Sequence, residues 1–494
     1  MSSQLLLAVA GAGLLCAQYV ASRELGSTFF VTELSVLAAA VVTLAGPSLG
    51  YAIGNRVRRS VPSAGEGAGT APKVRLSASI GMEAWAAAAV LIHLLLPVGI
   101  RVLVGLLGVS HVGLCGVLVA CLVALLCGYY AVLLPLRAEP TSLPKLYSAE
   151  LLGSVAALLL IGCAPSWRVF LIGYFSIPIA IICLRYGWRI GLVTGLLAAA
   201  SWGGYGVLDA SAARRYFVGF HGHHAPHMIE TIYSPYQRVD VVEDAGARSL
   251  YLDGVPFYRA GDLDSFNVFL AAVPGSLIRD SGSARRTALV VGSGSFSSAA
   301  KLHQQGYQVT VIELDAAVAD VGFRRFAQVH QLQAGQVTVI QEDVRRALSR
   351  MQTRYDLIVL DVPAPYRVQT ALLHTPAFYR QVQSHLTEGG VVALSLCDEL
   401  AGPLGSRIAA AAGSIFTEVM VVESNTVGMA VLYAGQKLPF DEHAAASALR
   451  LHDAQGGRVL SDRSVRIEIL GAAPISEKDL LGVLLLARQV HLGH

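Results

Sequence analysis

The sequence predicts a polytopic α-helical membrane domain fused to a doubly wound α/β domain. Apolar residues make up 54% of the 494-residue chain and charged residues only 14%, which is too apolar for an average soluble protein. Before about residue 207 the chain has repeated charge-free runs of roughly 20 residues, the length that crosses a ~30 Å hydrocarbon core. From 288 to about 435, strand and helix patterns alternate, which is typical of a parallel sheet covered by helices on both faces.

Seven apolar runs are predicted to be membrane spans. The first run lacks a small-residue cleavage site and precedes six others, so we expect a retained helix and not a signal peptide. The third run contains Pro97 and Arg101, and a re-entrant pair over 82–108 is the alternative interpretation. The runs are 4–22, 29–54, 82–100, 111–136, 148–164, 167–184 and 189–206.

Four regions follow from these patterns. A transmembrane helical domain is predicted over 1–207, and a juxtamembrane His-rich linker over 208–229. Short β-rich stretches predict a cap over 230–285 that includes a β-hairpin. The alternating pattern and the chain that follows it predict a Rossmann-like cofactor domain over 286–494.

The loop charges conflict with the expected position of the C-terminal domain. The basic residues between the second and third runs place that loop in the cytoplasm by the positive-inside rule, and seven crossings then leave the C-terminal domain outside. A nucleoside cofactor is supplied in the cytoplasm. We therefore expect a cytoplasmic C-terminal domain, although the loop charges with seven spans favour the opposite side. The basic residues are Arg56, Arg58, Arg59, Lys73 and Arg75.

Several polar residues in unusual places have two interpretations each. Ionisable groups in lipid are costly and often functional, but Glu33 and Glu150 are expected to be hydrated at the interface, and His93 to be hydrogen-bonded within the bundle. The HGHHAPH segment (221–227) is predicted to be a flexible loop and no metal is expected, because no Cys or acid completes a spaced site. His374 is either a surface residue at a helix start or a base. No basic stripe with aromatics is present, so no nucleic acid is expected as a partner.

Residues 288–315 predict a nucleoside site. An apolar strand, a Gly/Ser turn, a helix and a second apolar strand follow one another, and the second strand ends at Glu313. Such a turn lets the backbone approach a cofactor closely, and a carboxylate about 20 residues further on can accept both ribose hydroxyls. The C-terminal half is therefore a candidate adenosine-cofactor enzyme.

The C-terminal half resembles the spermidine synthase (aminopropyltransferase) family in its membrane-fused bacterial form. The resemblance covers roughly 230–440 and implies a Rossmann-like fold of the class I methyltransferase type, in a multi-pass protein of the bacterial inner (plasma) membrane. Seven motifs carry it in the family's order: SPYQRV (234–239), YLDGVP (251–256), VVGSGS (290–295), VIELD (311–315), QEDVRRAL (341–348), YDLIVLDVPAP (355–365) and TPAFYRQVQSHLTEGGVVAL (375–394).

The resemblance implies a site for S-adenosylmethionine or its decarboxylated form. Glu313 would hold the ribose hydroxyls and Asp343 the adenine amino group, while Gln237 would lie beside the sulfonium arm. A helix N-cap is the alternative role for Asp343 and for Asp361, which ends the fourth strand. The implied cofactor-binding residues are Gln237, Gly292, Gly294, Ser295, Glu313, Asp343 and Asp361.

The acceptor half of the implied site departs from the family. Ser295 stands where the family has an Asp, Ala364 stands at the position of the base, and NVF (267–269) replaces a Tyr-His-Glu stretch. Protonated polyamines would lack compensating charge there, at a cost of several kcal/mol per buried ammonium. Asp262 and Asp264 remain as nearby acids. The remodelled half would use Tyr258, Arg259, Tyr366 and Arg367, and the predicted catalytic residues are Asp361, Tyr258 and Tyr366.

The leading functional prediction is an integral-membrane transferase that cleaves a sulfonium C–S bond of S-adenosylmethionine or its decarboxylated form and releases methylthioadenosine. The expected partners are the lipid bilayer and a small-molecule or lipid-borne acceptor that is not a polyamine, and a homodimer is left open. The alternatives are a genuine polyamine aminopropyltransferase, an S-adenosylmethionine lyase or cyclase, a methyltransferase, and a non-catalytic membrane protein that senses a nucleoside.

Overall fold

The computed structural model describes residues 2–28, 33–59, 71–137, 142–260, 266–278, 286–292, 294–365, 367–424, 430–451, 457–476 and 483. The chain divides into two compact units, Met1–Met228 and Ile229–His494. The first unit is helical, and the second is built on two β-sheets.

The N-terminal unit is a bundle of long apolar helices. Helices α1 and α5 pack closely, as do α2 and α4, and α3 and α8. The helices are α1 (Ser2–Thr28), α2 (Glu33–Arg59), α3 (Ala71–Leu107), α4 (Val112–Arg137), α5 (Leu143–Cys163), α6 (Trp167–Tyr186), α7 (Trp188–Gly203) and α8 (Tyr205–Gly219).

Five helices of the described part are long and apolar enough to cross a membrane, and the number is six if one bent pair counts as a single span. The bent pair is α7 and α8, which meet at 59°. The predicted count of seven spans is not confirmed, because α2 is not among the five and the last predicted run ends at the bend. The five are Ser3–Thr28, Gly81–Leu107, Gly113–Arg137, Leu143–Cys163 and Trp167–Tyr186.

Helix α3 runs unbroken through Pro97, so the re-entrant alternative for 82–108 is wrong. Proline has no N–H, and the carbonyl four residues earlier, that of His93, loses its helical donor. The Tyr174 hydroxyl donates to that carbonyl at 2.9 Å. The imidazole of His93 contacts the Tyr130 hydroxyl at 2.6 Å and the Tyr174 carbonyl at 2.9 Å, so His93 is a hydrogen-bonded bundle residue.

A buried ionic cluster joins α1, α3 and α8. Arg101 is fully buried and donates from Nε to a Glu24 carboxylate oxygen at 3.0 Å. Its Nη2 donates to the carbonyl of Pro97 at 3.2 Å and forms an ion pair with Asp209. A buried guanidinium needs such compensation, because the desolvation of an unpaired charge costs several kcal/mol.

Glu150 is also buried in the bundle, so the expectation that it is hydrated at the interface is wrong. The Tyr51 hydroxyl lies 3.1 Å from each oxygen of its carboxyl group. The side chain of Glu33 lies outside the described residues.

The C-terminal unit begins with a four-stranded sheet in the order β1-β2-β3-β4. Strands β2 and β3 pair antiparallel from Val239–Leu252 to Asp244–Ala247, and β3 pairs antiparallel with β4. The strands are β1 (His227–Tyr233), β2 (Arg238–Asp244), β3 (Ala247–Leu252) and β4 (Val255–Arg259).

The second sheet has eight strands in the order β12-β10-β11-β9-β8-β5-β6-β7. Strands β5 to β9 are parallel, as predicted, but VMVVE lies in β10, which pairs antiparallel with β11. Strand β11 lies between β9 and β10 and pairs antiparallel with β9 as well. The strands are β5 (Thr287–Val291), β6 (Gln308–Glu313), β7 (Val337–Gln341), β8 (Tyr355–Leu360), β9 (Leu386–Ser395), β10 (Glu418–Ser424), β11 (Ala430–Gly435) and β12 (Gly457–Leu460).

Helices cover both faces of this sheet, because each strand alternates side chains between two buried clusters. Leu289 and Val291 of β5 belong to one cluster, and Ala288 and Val290 to the other. The helices are α9 (Val268–Leu277), α10 (Ser297–Gln304), α11 (Ala316–Phe326), α12 (Val344–Arg350), α13 (Val368–Ala371), α14 (Pro376–Ser384), α15 (Gly405–Gly413), α16 (Glu442–Leu451) and α17 (Asp462–Glu468).

Candidate functional site

Four predicted site residues lie at one edge of the large sheet. Strands β7, β6, β5 and β8 are parallel neighbours, so their carboxyl ends meet at the same edge. Val291, the last residue of β5, is in register with Ile312 of β6 and with Leu360 of β8. Ligands of open parallel sheets bind outside these strand ends. The four residues are Gly292, Glu313, Asp343 and Asp361.

The turn after β5 needs glycine for contacts within the protein. Gly292 has φ +71°, and a Cβ there would overlap the carbonyl oxygen of Asp361. Gly294 has φ +39°, and a Cβ there would overlap the ring of Phe257. The Ser295 hydroxyl is buried and accepts a hydrogen bond from the N–H of Ser297 at 3.3 Å. The approach of a substrate to this turn stays a prediction.

Replacing Gly292 with alanine should destabilise the C-terminal unit and weaken ligand binding. A non-glycine residue in left-handed backbone costs about 1–2 kcal/mol, and the overlap with Asp361 adds to that cost. Thermal unfolding of the purified full chain checks the expectation. Gly306→Ala is the matched control, because Gly306 has φ +87° and open space where a Cβ would lie. Equal unfolding temperatures of the two variants would contradict the overlap.

Glu313 closes β6 with its side chain only 8% exposed. Its Oε1 accepts a hydrogen bond from the N–H of Asp315 at 3.0 Å, which orients the carboxylate at the strand end. The Glu313 carbonyl accepts from the N–H of Glu342 at 3.1 Å, so the neighbouring strand end is tied to it. An oriented carboxylate beside the glycine turn has the chemistry that a ribose diol requires.

Gln237 is held by an acid that the sequence analysis did not select. Its Nε2 donates to Asp315 at 3.2 Å, and the Ser234 hydroxyl donates to the same carboxylate oxygen at 2.6 Å. Asp315 also caps α11 by accepting from the N–H of Ala317 at 3.0 Å. The signal was present in the VIELD motif, whose second acid follows Glu313 by two residues. Asp315 thereby joins the turn between β1 and β2 to the end of β6.

Asp343 is a helix N-cap in the structure. Its Oδ1 accepts from the N–H groups of Arg345 at 3.0 Å and Arg346 at 3.2 Å, and its Oδ2 lies 3.6 Å from the guanidinium of Arg345. This is the alternative role given for Asp343 above. Contact with an adenine ring remains a prediction for it.

Asp361 is the perturbed acid of this edge. Burial raises the pKa of Asp361 to about 7, and the nearby negative charge of Glu313 raises it further. The Ser298 hydroxyl donates to Oδ2 at 3.0 Å, which favours the ionised form and lowers the pKa. A carboxyl group that titrates near neutrality in a cleft is suited to accepting a proton.

Comparison with known families agrees with this arrangement of residues. Residues 269–422 match the family model described as "Spermine/spermidine synthase domain". This region is a spermine/spermidine synthase domain.

The synthase domain has relatives among characterised families of bacterial enzymes. The chain is 32% identical over 163 residues to a polyamine aminopropyltransferase of Corynebacterium efficiens, which covers 32% of this chain and 30% of the relative. It is 25% identical over 258 residues to polyamine aminopropyltransferase 2 of Ralstonia nicotianae, covering 50% of this chain and 48% of the relative. A solved structure titled as a probable spermidine synthase from Corynebacterium glutamicum matches with 17% identity and a TM-score of 0.42, covering 50% of this chain and 95% of that one.

The acceptor half of the synthase domain differs from what the sequence suggested. Tyr258 is buried in an apolar cluster, where its ring packs on Phe326 and on the ring of His330. Arg367 forms an ion pair with Asp253 and donates to the carbonyl of Tyr236 at 3.1 Å. The catalytic role of Tyr258 therefore stays a prediction with a packing role beside it. Arg259 is exposed, and Tyr366, Asp262 and Asp264 lie outside the described residues.

His374 is buried in the synthase domain, so the expectation of a surface histidine is wrong. Its ring nitrogens contact the Tyr379 hydroxyl and the Pro363 carbonyl, both at 3.4 Å. Burial lowers the pKa of His374 to about 4, and the imidazole is neutral at pH 7.

The His-rich segment 221–227 is ordered in part by aromatic contacts. His221 lies 3.2 Å from the Tyr216 hydroxyl and stacks on Phe217, and His223 is buried. The helix α8 occupies much of the region predicted as a linker. Within the described residues, no group of three or more His, Cys, Asp and Glu side chains is placed to hold a metal ion.

Proposed function

We propose that the C-terminal unit binds decarboxylated S-adenosylmethionine or S-adenosylmethionine as a substrate, breaks a sulfonium C–S bond and releases methylthioadenosine. The observation that carries the proposal is the grouping of the Gly292 turn, the Glu313 carboxylate and the Asp361 carboxyl at adjacent strand ends. Curated relatives named polyamine aminopropyltransferases support the transferase class.

The chemistry assigns one role to each end of the site. Glu313 would accept hydrogen bonds from the ribose hydroxyls and orient the nucleoside. The lone pair of an acceptor nitrogen would attack the carbon next to sulfur, and the C–S bonding electrons would pass to the sulfonium, which becomes the neutral thioether of methylthioadenosine. Asp361 would take the proton that the nitrogen gives up. Because the sulfonium is already an activated leaving group, orientation and exclusion of water are the main tasks of the protein.

We propose further that the acceptor is not a polyamine. Ser295 and Ala364 leave two positions without the carboxylates that would compensate a di- or triammonium ion. The pairing of Arg367 with Asp253 removes one of the two arginines that would have suited an anionic acceptor. An acceptor with a single amine therefore fits best, either a small molecule or a lipid headgroup at the bilayer.

Genuine polyamine synthesis is the second candidate, because the curated relatives carry that name. The two candidates differ in the acceptor alone. Purified full-length protein in nanodiscs would be given decarboxylated S-adenosylmethionine with putrescine, with spermidine, or with phosphatidylethanolamine vesicles. The products would then be identified by mass spectrometry. Methylthioadenosine with an aminopropylated lipid or monoamine supports the proposal, and spermidine or spermine supports the second candidate.

The same experiment separates the remaining enzymatic alternatives. Methylthioadenosine from S-adenosylmethionine without any acceptor would indicate a lyase or cyclase. S-adenosylhomocysteine would indicate a methyltransferase. Binding without turnover would indicate a nucleoside sensor.

Replacing Asp361 with asparagine should lower kcat at least 100-fold, a typical contribution of one positioned acid or base. The amide keeps the size of the side chain and cannot accept the proton. The wild-type rate should rise with pH through about 7, because Asp361 acts only when ionised. Product formation measured from pH 5 to pH 9 checks both expectations. An Asp361→Asn variant that keeps its activity would remove Asp361 from the reaction.

We also propose that the N-terminal helices anchor the protein in the bacterial inner membrane, with the C-terminal unit in the cytoplasm. The five long apolar helices support the anchor, and the supply of the nucleoside supports the side. A reporter fused after residue 494 that is active only in the periplasm tests the orientation. Reporter activity would place the C-terminal unit outside and contradict the proposal.

A further inference from the structure

We propose that Ser298 and Asn267 are positioning residues for Asp361, forming a hydrogen-bonded relay that fixes one carboxylate oxygen and leaves the other for a proton. The inference rests on the proposed function for the identity of the proton donor. It rests on the contacts below for the relay itself.

The three side chains come from three different elements. Ser298 lies in the first turn of α10, Asn267 directly precedes α9, and Asp361 directly follows β8. Ser298 is 1% exposed and Asn267 is 7% exposed, so water does not substitute for the contacts between them. The Ser298 hydroxyl oxygen lies 3.0 Å from Oδ2 of Asp361 and 3.2 Å from the side chain of Asn267.

The number of protons gives the relay its direction. One hydroxyl has one hydrogen, and the Asp361 carboxylate is the stronger acceptor because it carries charge. The Asn267 amide can then satisfy the serine oxygen by turning its NH₂ group toward it, an assignment that rests on the hydrogen-bond network. Asn267 therefore donates to Ser298, and Ser298 donates to Asp361.

The relay leaves the two oxygens of Asp361 unequal. Oδ2 is held by Ser298, whereas Oδ1 accepts no hydrogen bond from the part of the chain that the structure describes. Glu313, at the neighbouring strand end, is the charged group whose field acts on Asp361, and it opposes ionisation. Ser298 acts in the other direction by stabilising the ionised form. The serine thus keeps Asp361 oriented and able to ionise despite burial beside another acid.

Replacing Ser298 with alanine tests the relay. We expect kcat to fall roughly 10-fold and the ascending limb of the pH profile to move to higher pH by about one unit, because the hydrogen bond no longer stabilises the carboxylate. KM for decarboxylated S-adenosylmethionine should change less than 2-fold, since the nucleoside is held elsewhere. Asn267→Ala should move the limb in the same direction by a smaller amount. Ser297→Ala is the matched control, equally buried and on the same helix turn.

A second readout does not need turnover. The folded-state pKa of Asp361 is raised, so its contribution to stability is complete at low pH and is lost as pH rises through about 7. In Ser298→Ala this loss should move to higher pH in thermal unfolding curves of the full chain, and in Asp361→Asn it should be absent.

The outcomes separate the relay from the proposed function. An inactive Asp361→Asn beside a Ser298→Ala that matches Ser297→Ala in both pH profiles would overturn the relay and leave the function standing. Absence of methylthioadenosine from the wild type would overturn the function, and the unfolding curves would then decide the relay alone. A shift in Ser298→Ala that is also present in the Asp361→Asn background would overturn the relay, because it would come from another group.

Discussion

Replacing Glu313 with alanine should lower the affinity for methylthioadenosine at least 100-fold and leave the fold intact. Two hydrogen bonds from a ribose diol to a carboxylate are worth about 1.5–3 kcal/mol each, and about 1.4 kcal/mol corresponds to a factor of ten. Glu313 is the acid at the end of β6, next to the glycine turn of β5. Its loss removes the acceptor of both hydroxyls at once.

Isothermal titration calorimetry of the full chain with methylthioadenosine measures this effect. Glu342→Ala is the matched control, because Glu342 also lies at a strand end but forms ion pairs with Arg346 and Arg350 on α12. Circular dichroism and thermal unfolding should give the wild-type values for both variants. Equal affinities of Glu313→Ala and wild type would remove the nucleoside site from this edge of the sheet.

The second large effect is expected in the N-terminal unit, where Arg101→Leu should destabilise the helix bundle by about 3–5 kcal/mol. The variant leaves the Glu24 carboxylate fully buried without the guanidinium that it now contacts, and it removes the partner of Asp209. Thermal unfolding in detergent, followed by tryptophan fluorescence, measures the loss. Arg189→Leu on the exposed start of α7 should have little effect.

A compensated variant distinguishes charge from shape. Leucine at all three positions of the cluster removes every charge, and such replacements of buried ion pairs are often neutral or stabilising. The triple variant should therefore be more stable than Arg101→Leu alone. If it is less stable, the ionic cluster is not what makes Arg101 important.

The parallel half of the large sheet could be predicted from the sequence because its strands are short apolar runs separated by helical patterns. The same runs end in Gly292, Glu313 and Asp361, and parallel neighbours necessarily bring such ends together. That geometric rule is why the candidate site could be assembled before any coordinates were known.

The direction of β10 could not be predicted from its composition. VMVVE is as apolar as the parallel strands, and side-chain periodicity does not report which partner a strand pairs with. The insertion of β11 between β9 and β10 decides the direction, and it depends on pairing between distant segments.

Side-chain partners were the least predictable feature of the site. The pairing of Arg367 with Asp253 joins residues that lie more than a hundred positions apart, and the burial of His374 depends on how α14 packs. The N-cap role of Asp343 is local, so it could be given as an alternative. The membrane spans fall between these cases, because hydropathy identifies apolar runs but not the bend between α7 and α8.

Mass spectrometry of the nucleoside that leaves the sulfonium substrate tests the central claim most directly. Full-length protein in nanodiscs would be incubated with decarboxylated S-adenosylmethionine and, separately, with S-adenosylmethionine, with Asp361→Asn as the blank. The account predicts methylthioadenosine from the wild type and at least 100-fold less from the blank. S-adenosylhomocysteine, or intact substrate in every sample, would contradict it.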